Sequence, residues 1–459
     1  MEFVFYDFET TGVSPEFDQP LQFAGIRTNE DFEEIERVNF RCRLAPHILP
    51  SPYALVVTGI KPEQLIDTRL PSLFEFSQRL FDLTERWAPA IWLGYNSINF
   101  DEEVLRQVFY QNLLPNIFAT QFNGNLRFDV MKLVYAVAAT NPGSLTWEVD
   151  DAGNPILKLD SLAPANGFSR HNAHDAMGDV EATIHIAKKI KEHNNSLWHQ
   201  LLENSRKDVV FGKLNTYQPH DLVVRFGKES PMTITGCLCG YSSDNPNRAI
   251  FFDLGAADPS DWLDASISDL VSVMAKRPTF LYSISVNKVP VLLGTSKFGA
   301  EHQKRAAIIA ASFEFRKRVG KALAARFADV SMSISLPVEK QIYSGFYSKN
   351  DSELLEQFRR SNWTKRFELL SDLSDQRLRQ LGRRLIAFNC PDLLSPNDKK
   401  RYRNFLTKKL IATTTSIEEP EWITIKKARE EIIYLREKTN IDPAIMTAIE
   451  DFYDSWKTN

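Results

Sequence analysis

The chain has 459 residues, of which 43% are hydrophobic and 25% are charged, and its formal net charge is −4. This length is too great for one hydrophobic core, so we expect two or three domains with the composition of an ordinary soluble globular protein. No apolar run reaches the roughly 18 residues of a membrane span, and the acidic N-terminus is unlike a secretory signal, so we expect a cytoplasmic protein.

The first 195 residues alternate between strand and helix patterns. Short apolar runs predict strands at 3–8, 20–29, 38–44 and 90–96. The spacing of apolar residues predicts helices at 72–86, 101–114 and 173–193. The first three predicted strands follow one another, and later strands alternate with helices. This order indicates a mixed sheet covered by helices, so we expect an α/β domain at 1–195.

The pattern changes after residue 195. Short strands separated by Gly, Pro, Asn and Asp predict a small β-barrel or sandwich, and they lie at 221–227, 232–241, 248–255 and 279–293. Helical spacing returns at 301–330 and dominates from residue 351 onward. We therefore expect three domains, at 1–195, 196–348 and 349–459, and the last of them is all-α.

Two carboxylates stand at the end of the first predicted strand, in the string DFETTG. Asp7 and Glu9 are two residues apart, so their side chains point to one face of the strand, with Cα atoms roughly 6–7 Å apart. Two unpaired carboxylates that close raise each other's pKa, and a divalent cation relieves this repulsion. The pattern favours a Mg²⁺ or Mn²⁺ site with oxygen ligands; acids that are solvated, or paired with Arg or Lys, are the alternative.

A third acid, Asp101, follows the string GYNSINF and begins the predicted helix at 101–114. Taken alone, its simplest role is that of a helix N-cap. Asn96 and Phe100 stand before it and complete the string N-x-x-x-F-D, which is more specific than a single aspartate.

A fourth acid, Asp179, lies on the predicted helix at 173–193. His174 stands five residues before it, near the helix start, where a histidine that titrates near neutrality can accept a proton from an attacking water. A histidine in a surface loop is the alternative for this position. His171 competes for the same role, because it stands four residues before Asp175.

Together, these residues resemble the DEDD-type 3′→5′ exonucleases of the DnaQ-like, ribonuclease H-like superfamily, in the subclass that uses histidine as the base. The resemblance implies a ribonuclease H-like fold and two Mg²⁺ ions, with Mn²⁺ as a substitute. It implies that Asp7, Glu9 and Asp179 hold one ion, and that Asp7 and Asp101 hold the second. It also implies that His174 deprotonates the attacking water.

Over nearly the whole chain, the sequence resembles the bacterial exonuclease I family, which degrades single-stranded DNA. The resemblance rests on the strings GYNSINFDEEVLR, FAGIRTN, NPNRAIFFDL, SVNKVPVL and QIYSGFY. The string VTGIKPEQL resembles the I-T-G-I segment of the DEDD-type exonucleases. The resemblance to the exonuclease I family implies that the second domain is an SH3-like barrel and that the third is helical. It also implies hydrolysis to nucleoside 5′-monophosphates, a role in DNA repair and recombination, and a monomeric protein.

The resemblance implies two further kinds of contact. Glu9 and Lys158 are expected to contact the substrate, and Lys158 stands where the family often has an arginine. Lysine keeps the positive charge but lacks the bidentate fork of arginine on a phosphate. Members of the family bind the acidic tail of the single-stranded-DNA-binding protein, and Arg316, in the string FEFRKRV, is the expected contact for that tail.

Charge is unevenly distributed along the chain. Residues 1–36 contain ten Asp or Glu and one Arg, whereas residues 355–410 contain fourteen Lys or Arg and six Asp or Glu. Residues 301–326 contain seven basic and two acidic residues. An acidic part joined to basic parts fits a metal site beside a track for a polyanion, although long helices also carry solvated Lys and Arg.

Aromatic residues are interleaved with the two basic stretches. Positive charge combined with stacking is what sequence-independent binding of single strands requires. The alternative for each aromatic residue is that it belongs to the helix core. The residues concerned are Phe313, Phe315, Trp363 and Phe367.

Three other functions are compatible with parts of this pattern. An RNA exonuclease of the same superfamily shares every ligand, but the additional barrel and helical domains argue against it. A proofreading subunit of a polymerase is normally only as long as the first domain. A non-enzymatic nucleic-acid-binding module would lack at least one of the five site residues, and all five are present.

Overall fold

The structure is a computed structural model of the chain. It describes residues 1–168, 175–294, 298–328, 336–411, 420–438 and 441–455. Within these ranges, no helix is long and apolar enough to cross a membrane.

A five-stranded mixed sheet lies in the N-terminal part of the chain. Its strands are β1 Glu2–Thr10, β2 Pro20–Thr28, β3 Glu34–Arg41, β4 Ala90–Gly94 and β5 Leu126–Asp129. The strand order is β3-β2-β1-β4-β5, in which β1 is antiparallel to β2 and parallel to β4. The predicted mixed sheet is confirmed, and β1 is its central strand.

The helices of this part of the chain are α1 Pro52–Thr58, α2 Pro62–Leu65, α3 Leu73–Arg86, α4 Asp101–Gln111, α5 Val130–Thr140, α6 Leu159–Ala165, α7 Ala176–His193, α8 Asn195–Glu203 and α9 Lys207–Asn215. Helices α5 to α8 cover one face of the sheet and α3 and α4 cover the other, whereas α9 packs with strands further along the chain. Side chains alternate between the faces of a strand. Phe3 and Phe5 of β1 therefore pack with α5 to α8, while Val4 and Tyr6 pack with α3 and α4.

Local sequence signals explain where the helices begin. At α3, the Ser72 hydroxyl accepts a hydrogen bond from the backbone N–H of Glu75 at 3.3 Å. The Glu75 carboxylate accepts one from the backbone N–H of Ser72 at 2.7 Å. This capping box satisfies N–H groups that would otherwise lack partners, and it sets the start of the helix.

A second, antiparallel sheet follows. Its strands are β6 His220–Val224, β7 Met232–Tyr241, β8 Arg248–Asp253, β9 Leu281–Ser285 and β10 Leu292–Leu293, in the order β10-β6-β7-β8-β9. The helices α10 Ile267–Ala275, α11 Ala300–Ala311 and α12 Phe313–Ala328 accompany it. Helix α12 lies close to the sheet, since a Cβ at Gly320 would stand 2.2 Å from the carbonyl oxygen of Tyr241. The SH3-like assignment and the boundaries at 1–195, 196–348 and 349–459 stay predictions.

The C-terminal part contains helices and no strand within the described residues, which confirms the predicted all-α region. The helices are α13 Lys349–Arg360, α14 Trp363–Leu369, α15 Gln376–Asn389, α16 Pro396–Ile411, α17 Ile425–Arg436 and α18 Pro443–Asp454. Helices α13 to α15 share a core with Phe74 of α3 and Tyr110 of α4. Helices α17 and α18 pack against Leu55 of α1, so the C-terminal helices contact the N-terminal part at two places.

Candidate metal centre

The carboxylates of β1 lie on the same face of the strand as its core phenylalanines. Phe3 and Phe5 are buried beneath α7, and the alternation places Asp7 and Glu9 on that face at the carboxyl end of the strand. Glu9 is only 7% exposed. The central strand therefore holds two acids rigidly beside the first turn of α7.

Asp179 is brought to these acids by α7. It lies in the first turn of that helix, whose buried residues Ala182, Ile186 and Ile190 fix the helix to the sheet. One carboxylate oxygen each from Asp7, Glu9 and Asp179 can be chosen so that all three lie within 4.8 Å of one another. Three hard oxygen ligands at this spacing fit a divalent cation such as Mg²⁺ or Mn²⁺.

Asp101 reaches the same region from α4. The expectation that it is an N-cap is wrong, because Phe100 occupies that position and Asp101 is the first helical residue. Its Oδ1 instead accepts a hydrogen bond from the backbone N–H of Phe8 at 3.2 Å. The side chain is buried, with 4% of the residue exposed, and is thereby tied to the strand that carries Asp7 and Glu9.

Burial and mutual repulsion raise the pKa values of three of these acids, Asp7, Glu9 and Asp101. The pKa of Asp7 is well above its ordinary value, first because of burial and then because of the charges of Asp101, Asp179 and Glu9. Burial, followed by the charge of Asp179, raises the pKa of Glu9 to about 9. Burial also raises the pKa of Asp101 to about 8. A bound divalent cation would reverse these shifts, because it stabilises the ionised carboxylates.

The predicted base, His174, and its competitor His171 lie outside the described residues. Asp175 is described, and it is the N-cap residue of α7. Its Oδ1 accepts a hydrogen bond from Gln22 Nε2 at 3.0 Å, and Gln22 is the residue opposite Glu9 in the β1–β2 register. The start of α7 is therefore anchored beside the acids.

Cationic side chains line the cavity that contains Asp7 and Asp179. The cavity has a volume of about 410 Å³, and Lys158 and Arg225 both line it. Lys158 is exposed and occupies the N-cap position of α6. Arg225 follows β6 of the second sheet; its Nη1 donates to the Tyr135 hydroxyl at 3.2 Å.

Arg225 was not predicted from the sequence. A lone arginine after a short strand carries no signal of its own, and only the packing of the second sheet against α5 brings it to the acids. The structure places Lys158, which the sequence did single out, in the same cavity.

Glu9 lines a second cavity, of about 510 Å³. Its walls are formed by the end of β1, by Tyr53 and Thr58 around α1, and by Tyr434 of α17. The two acids of β1 thus line different cavities, and the C-terminal helices form part of the one at Glu9. The periodicity of α17 gave no indication of this placement.

Arg316 lies on α12, far along the chain from the acids. Its Nη1 donates to the carbonyl oxygen of Ile309 at 2.7 Å, and its guanidinium carbon lies 4.7 Å from the centroid of the Tyr217 ring. The residue is half-buried and its guanidinium group is bonded to backbone carbonyls, so the group is held in a defined orientation.

The aromatic residues of the basic stretches differ in their surroundings. Phe315 is 1% exposed and belongs to the core, and the ring of Trp363 packs against Phe74 with centroids 4.8 Å apart. Phe313 and Phe367 are exposed, at 63% and 37%. The core alternative therefore holds for two of the four, and only Phe313 and Phe367 are available to a ligand.

Two family models match this chain, one in its N-terminal part and one in its C-terminal part. Residues 4–187 match the family model described as Exonuclease, and residues 337–457 match the model described as Exonuclease I C-terminal domain. Exodeoxyribonuclease I of Haemophilus influenzae is 32% identical over 389 residues, which are 76% of this chain and 78% of that protein. Exodeoxyribonuclease I of Escherichia coli is 31% identical over 369 residues, which are 76% of this chain and 77% of that protein.

Solved structures resemble the entire chain. The chain is 26% identical to exonuclease I in each of three complexes, two of them of the E. coli protein, with coverage of 99% of both chains. The complex with a dT13 oligonucleotide has a TM-score of 0.83, and that of SSB/exonuclease I with an inhibitor has 0.82. A zinc-bound complex with single-stranded DNA has 0.81.

The matching models, the sequence relatives and the shared fold confirm the resemblance that the motifs indicated. The chain therefore belongs to the exodeoxyribonuclease I family and is an exonuclease, a hydrolase of phosphodiester bonds.

Proposed function

We propose that the chain is a 3′→5′ exodeoxyribonuclease that shortens single-stranded DNA and releases nucleoside 5′-monophosphates. The observation that carries this proposal is the convergence of Asp7, Glu9 and Asp179 within 4.8 Å of one another, beside the buried Asp101. Complexes of E. coli exonuclease I with single-stranded DNA support the choice of substrate. The physiological role that follows is DNA repair and recombination.

The donor set fits divalent cations. Asp7, Glu9 and Asp179 would hold one Mg²⁺ or Mn²⁺, and Asp7 and Asp101 would hold a second. When bound, such cations supply Lewis-acid stabilisation of the phosphoryl oxygens and lower the pKa of an attacking water. The carboxylates fix the positions of these charges, because α7 packs on one face of β1 and α4 packs on the other.

Other side chains accept the proton of the attacking water and bind the phosphate. His174 accepts the proton of the water that attacks phosphorus, and the bond between phosphorus and the 3′ oxygen breaks. The products are a nucleoside 5′-monophosphate and a strand with a new 3′ hydroxyl, whose proton comes from solvent. Lys158 and Arg225, which line the cavity of Asp7, hold the negatively charged phosphate in place by charge and hydrogen bonding.

Digestion of 5′-labelled oligonucleotides tests this function. We expect stepwise shortening of single-stranded DNA in Mg²⁺, little shortening of a blunt duplex or of matched RNA, and none in EDTA. Asp7→Asn, which keeps the shape of the side chain, should be inactive. Products of internal cleavage, or shortening that persists in EDTA, would refute the proposal.

We also propose a partner for the surface around Arg316. The half-buried guanidinium beside Tyr217 fits a carboxylate next to an apolar side chain, and this chemistry is that of an acidic peptide tail. A solved structure of SSB/exonuclease I supports the tail of the single-stranded-DNA-binding protein as that peptide. The chain itself would act as a monomer.

A further inference from the structure

A buried acid stands directly after Asp101 in α4. Glu102 is 0% exposed, and its carboxylate accepts hydrogen bonds from three other segments of the chain. The donors are the Thr120 hydroxyl at 2.7 Å, Arg127 Nη1 of β5 at 3.3 Å and the Tyr6 hydroxyl of β1 at 3.4 Å. The first turn of α4 is therefore tied to β1 and β5 through one side chain.

Glu102 and two arginines form a buried cluster of charges. Arg106, one turn later in α4, donates to the Glu102 carboxylate from Nη2 at 3.2 Å, and its side chain is 8% exposed. The side chain of Arg127 is 6% exposed. Buried charges are stable only when they are paired in a favourable geometry, so each member of the cluster fixes the position of the others. The cluster makes the start of α4 rigid at the residue that follows Asp101.

Arg127 also reaches the second sheet. Its Nη2 donates to the carbonyl oxygen of Asn287, in the turn between β9 and β10, at 2.9 Å. Lys132 of α5 donates from Nζ to the carbonyl oxygens of Lys288 and Val289, in the latter case at 3.2 Å. Three consecutive carbonyl groups of the turn at 287–289 are thus bound by two cations of β5 and α5.

The backbone of this turn has a conformation that requires such support. Val289 has a φ of 49°, and a β-branched residue rarely adopts a positive φ. The residue is buried and packs in the core that contains Phe3 and Phe5 of β1. A strained backbone persists only where the surrounding contacts over-determine it, and such positions cluster at functional sites. The turn at 287–289 therefore belongs structurally to the first sheet as well as to the second.

Asp129, at the end of β5, supports the loop that precedes α4. Its buried carboxylate accepts hydrogen bonds from the backbone N–H groups of Asn96 at 2.9 Å and Ile98 at 3.4 Å. Asn96 lines the cavity of the metal centre. Asp129 thus fixes the loop before Asp101, and Glu102 fixes the helix after it.

Groups that orient metal ligands commonly determine metal affinity, because the ligands must lie within about 0.5 Å of the productive geometry. The carboxylate of Asp101 accepts from the backbone N–H of Phe8. The backbone position of Asp101 is set by the helix that Glu102 and Arg127 anchor. The buried cluster therefore lies one residue away from a candidate ligand and contacts the second sheet on its other side.

We propose that Glu102 and Arg127 are positioning residues of the metal centre, and that the turn at 287–289 completes their network. They act through Asp101, whose position they set, so that packing of the second sheet contributes to the affinity for a divalent cation. This inference rests on the proposed function, since it assumes that Asp101 binds a cation.

Binding of Mn²⁺ to the full-length protein without DNA tests this role, and electron paramagnetic resonance of the free ion measures it. Arg127→Met keeps the length of the side chain but removes its bonds to Glu102 and to the carbonyl of Asn287. We expect Mn²⁺ to bind about 10- to 100-fold more weakly to this variant. During digestion of saturating single-stranded DNA, the Mg²⁺ concentration that gives half the maximal rate should rise by a similar factor. The KM for DNA at saturating Mg²⁺ should stay near the wild-type value.

Two further variants carry the test if Arg127→Met fails to fold. Arg127→Lys keeps the charge and reaches only one of the two partners, so its Mn²⁺ affinity should lie between those of the wild type and Arg127→Met. Glu102→Gln keeps the shape of the side chain, removes the charge and should also weaken Mn²⁺ binding. Combined with Arg127→Met, it should add less than its separate effect, because both substitutions break one network.

Arg366→Met is the matched control for a general loss of stability. Arg366 of α14 is 8% exposed and donates to the carbonyl oxygens of Phe358 and Arg359, both at 2.9 Å. Its removal should lower the melting temperature and leave the Mn²⁺ affinity unchanged. If Arg127→Met also lowers only the melting temperature, with wild-type Mn²⁺ affinity and Mg²⁺ requirement, the positioning role is refuted. If the wild-type protein neither binds Mn²⁺ nor digests single strands, the proposed function itself is refuted.

Discussion

The backbone N–H of Phe8 donates a hydrogen bond to the carboxylate of Asp101 at 3.2 Å, which joins the first turn of α4 to the central strand. Asp101 therefore has two roles, and a single substitution can separate them. The carboxylate accepts a structural hydrogen bond, and its negative charge faces Asp7 and Asp179.

We expect Asp101→Asn to keep the fold and lose the activity. The amide oxygen still accepts from Phe8, but the charge that would bind a cation is gone. Loss of several kcal/mol of transition-state stabilisation corresponds to a fall in kcat of about 10²- to 10⁴-fold. Asp101→Ala should lose the activity and also melt at a lower temperature, since it leaves the buried N–H unpaired, at a cost of about 1–3 kcal/mol. An Asp101→Asn enzyme with wild-type kcat would contradict the metal assignment.

The pH dependence of stability should reveal the raised pKa values in the metal-free protein. Glu9 has a pKa of about 9 in the fold against an ordinary value of 4.5, and Asp101 about 8 against 3.8. The folded state binds more protons than the unfolded state between these values, so stability falls as the pH rises from about 4.5 to about 9. We expect the melting temperature in EDTA to fall over this window.

Saturating Mg²⁺ should remove most of this slope, because the cation favours the ionised carboxylates. Binding of the cation near pH 7.5 should also release protons, which calorimetry in buffers of different ionisation enthalpy detects. A metal-free melting temperature that is flat or rises with pH would contradict the raised pKa values. Glu9→Gln serves as the control, since it removes one titrating group and should flatten the metal-free profile.

Much of the first sheet could be predicted because its information is local. Alternation along β1 put Phe3 and Phe5 in the core and Asp7 and Glu9 on the same face, and the structure has this arrangement. The spacing of apolar residues predicted a helix at 72–86, and the structure has α3 there, with Ser72 as its N-cap. Where neighbours along the chain determine the conformation, sequence reasoning was sufficient.

Contacts between distant segments could not be predicted in the same way. The N-cap expectation for Asp101 was wrong because its partner, Phe8, is more than ninety residues away and competes successfully for the carboxylate. Arg225 and Tyr434 reach the cavities beside the acids only because the second sheet and α17 pack against the first domain. Neither residue has a local pattern that distinguishes it from a surface side chain.

The role of His174 rests on its chemistry and on its place in the family pattern. We expect His174→Ala to reduce kcat by about 10²- to 10⁴-fold, the usual loss when a general base is removed, with little change in KM. His171→Ala is the matched control and should retain most of the activity. The pH profile of kcat should lose its acidic limb in His174→Ala. Loss of that limb in His171→Ala instead would assign the base to His171.

Arg225 offers a test of the second sheet's contribution to the cavity. Arg225→Met keeps the length of the side chain and removes its charge, so we expect kcat/KM to fall about 10- to 100-fold, as for a charge-assisted hydrogen bond to phosphate. Lys158→Met should have a similar effect, and Arg225→Lys a smaller one, since lysine lacks the bidentate fork.

Tyr135→Phe is the control for Arg225, because it removes the hydroxyl that accepts from Nη1 at 3.2 Å and leaves the charge. It should cost less activity than Arg225→Met does. Unchanged kcat/KM in Arg225→Met would mean that the guanidinium only packs against Tyr135.

Arg316 should determine binding of an acidic peptide without affecting catalysis. Its guanidinium is held by the carbonyl of Ile309 and stacks near Tyr217, so it presents a fixed positive charge. We expect Arg316→Glu to weaken binding of an acidic tail peptide by at least tenfold, because the substitution replaces a half-buried cation with an anion that repels the peptide. Fluorescence anisotropy of a labelled peptide measures this change. Digestion of free single-stranded DNA should stay close to the wild-type rate. Lys317→Glu makes the same change of charge at the adjacent, exposed residue and should have a smaller effect. Equal losses in the two variants would indicate a general electrostatic attraction to α12 rather than a contact at Arg316.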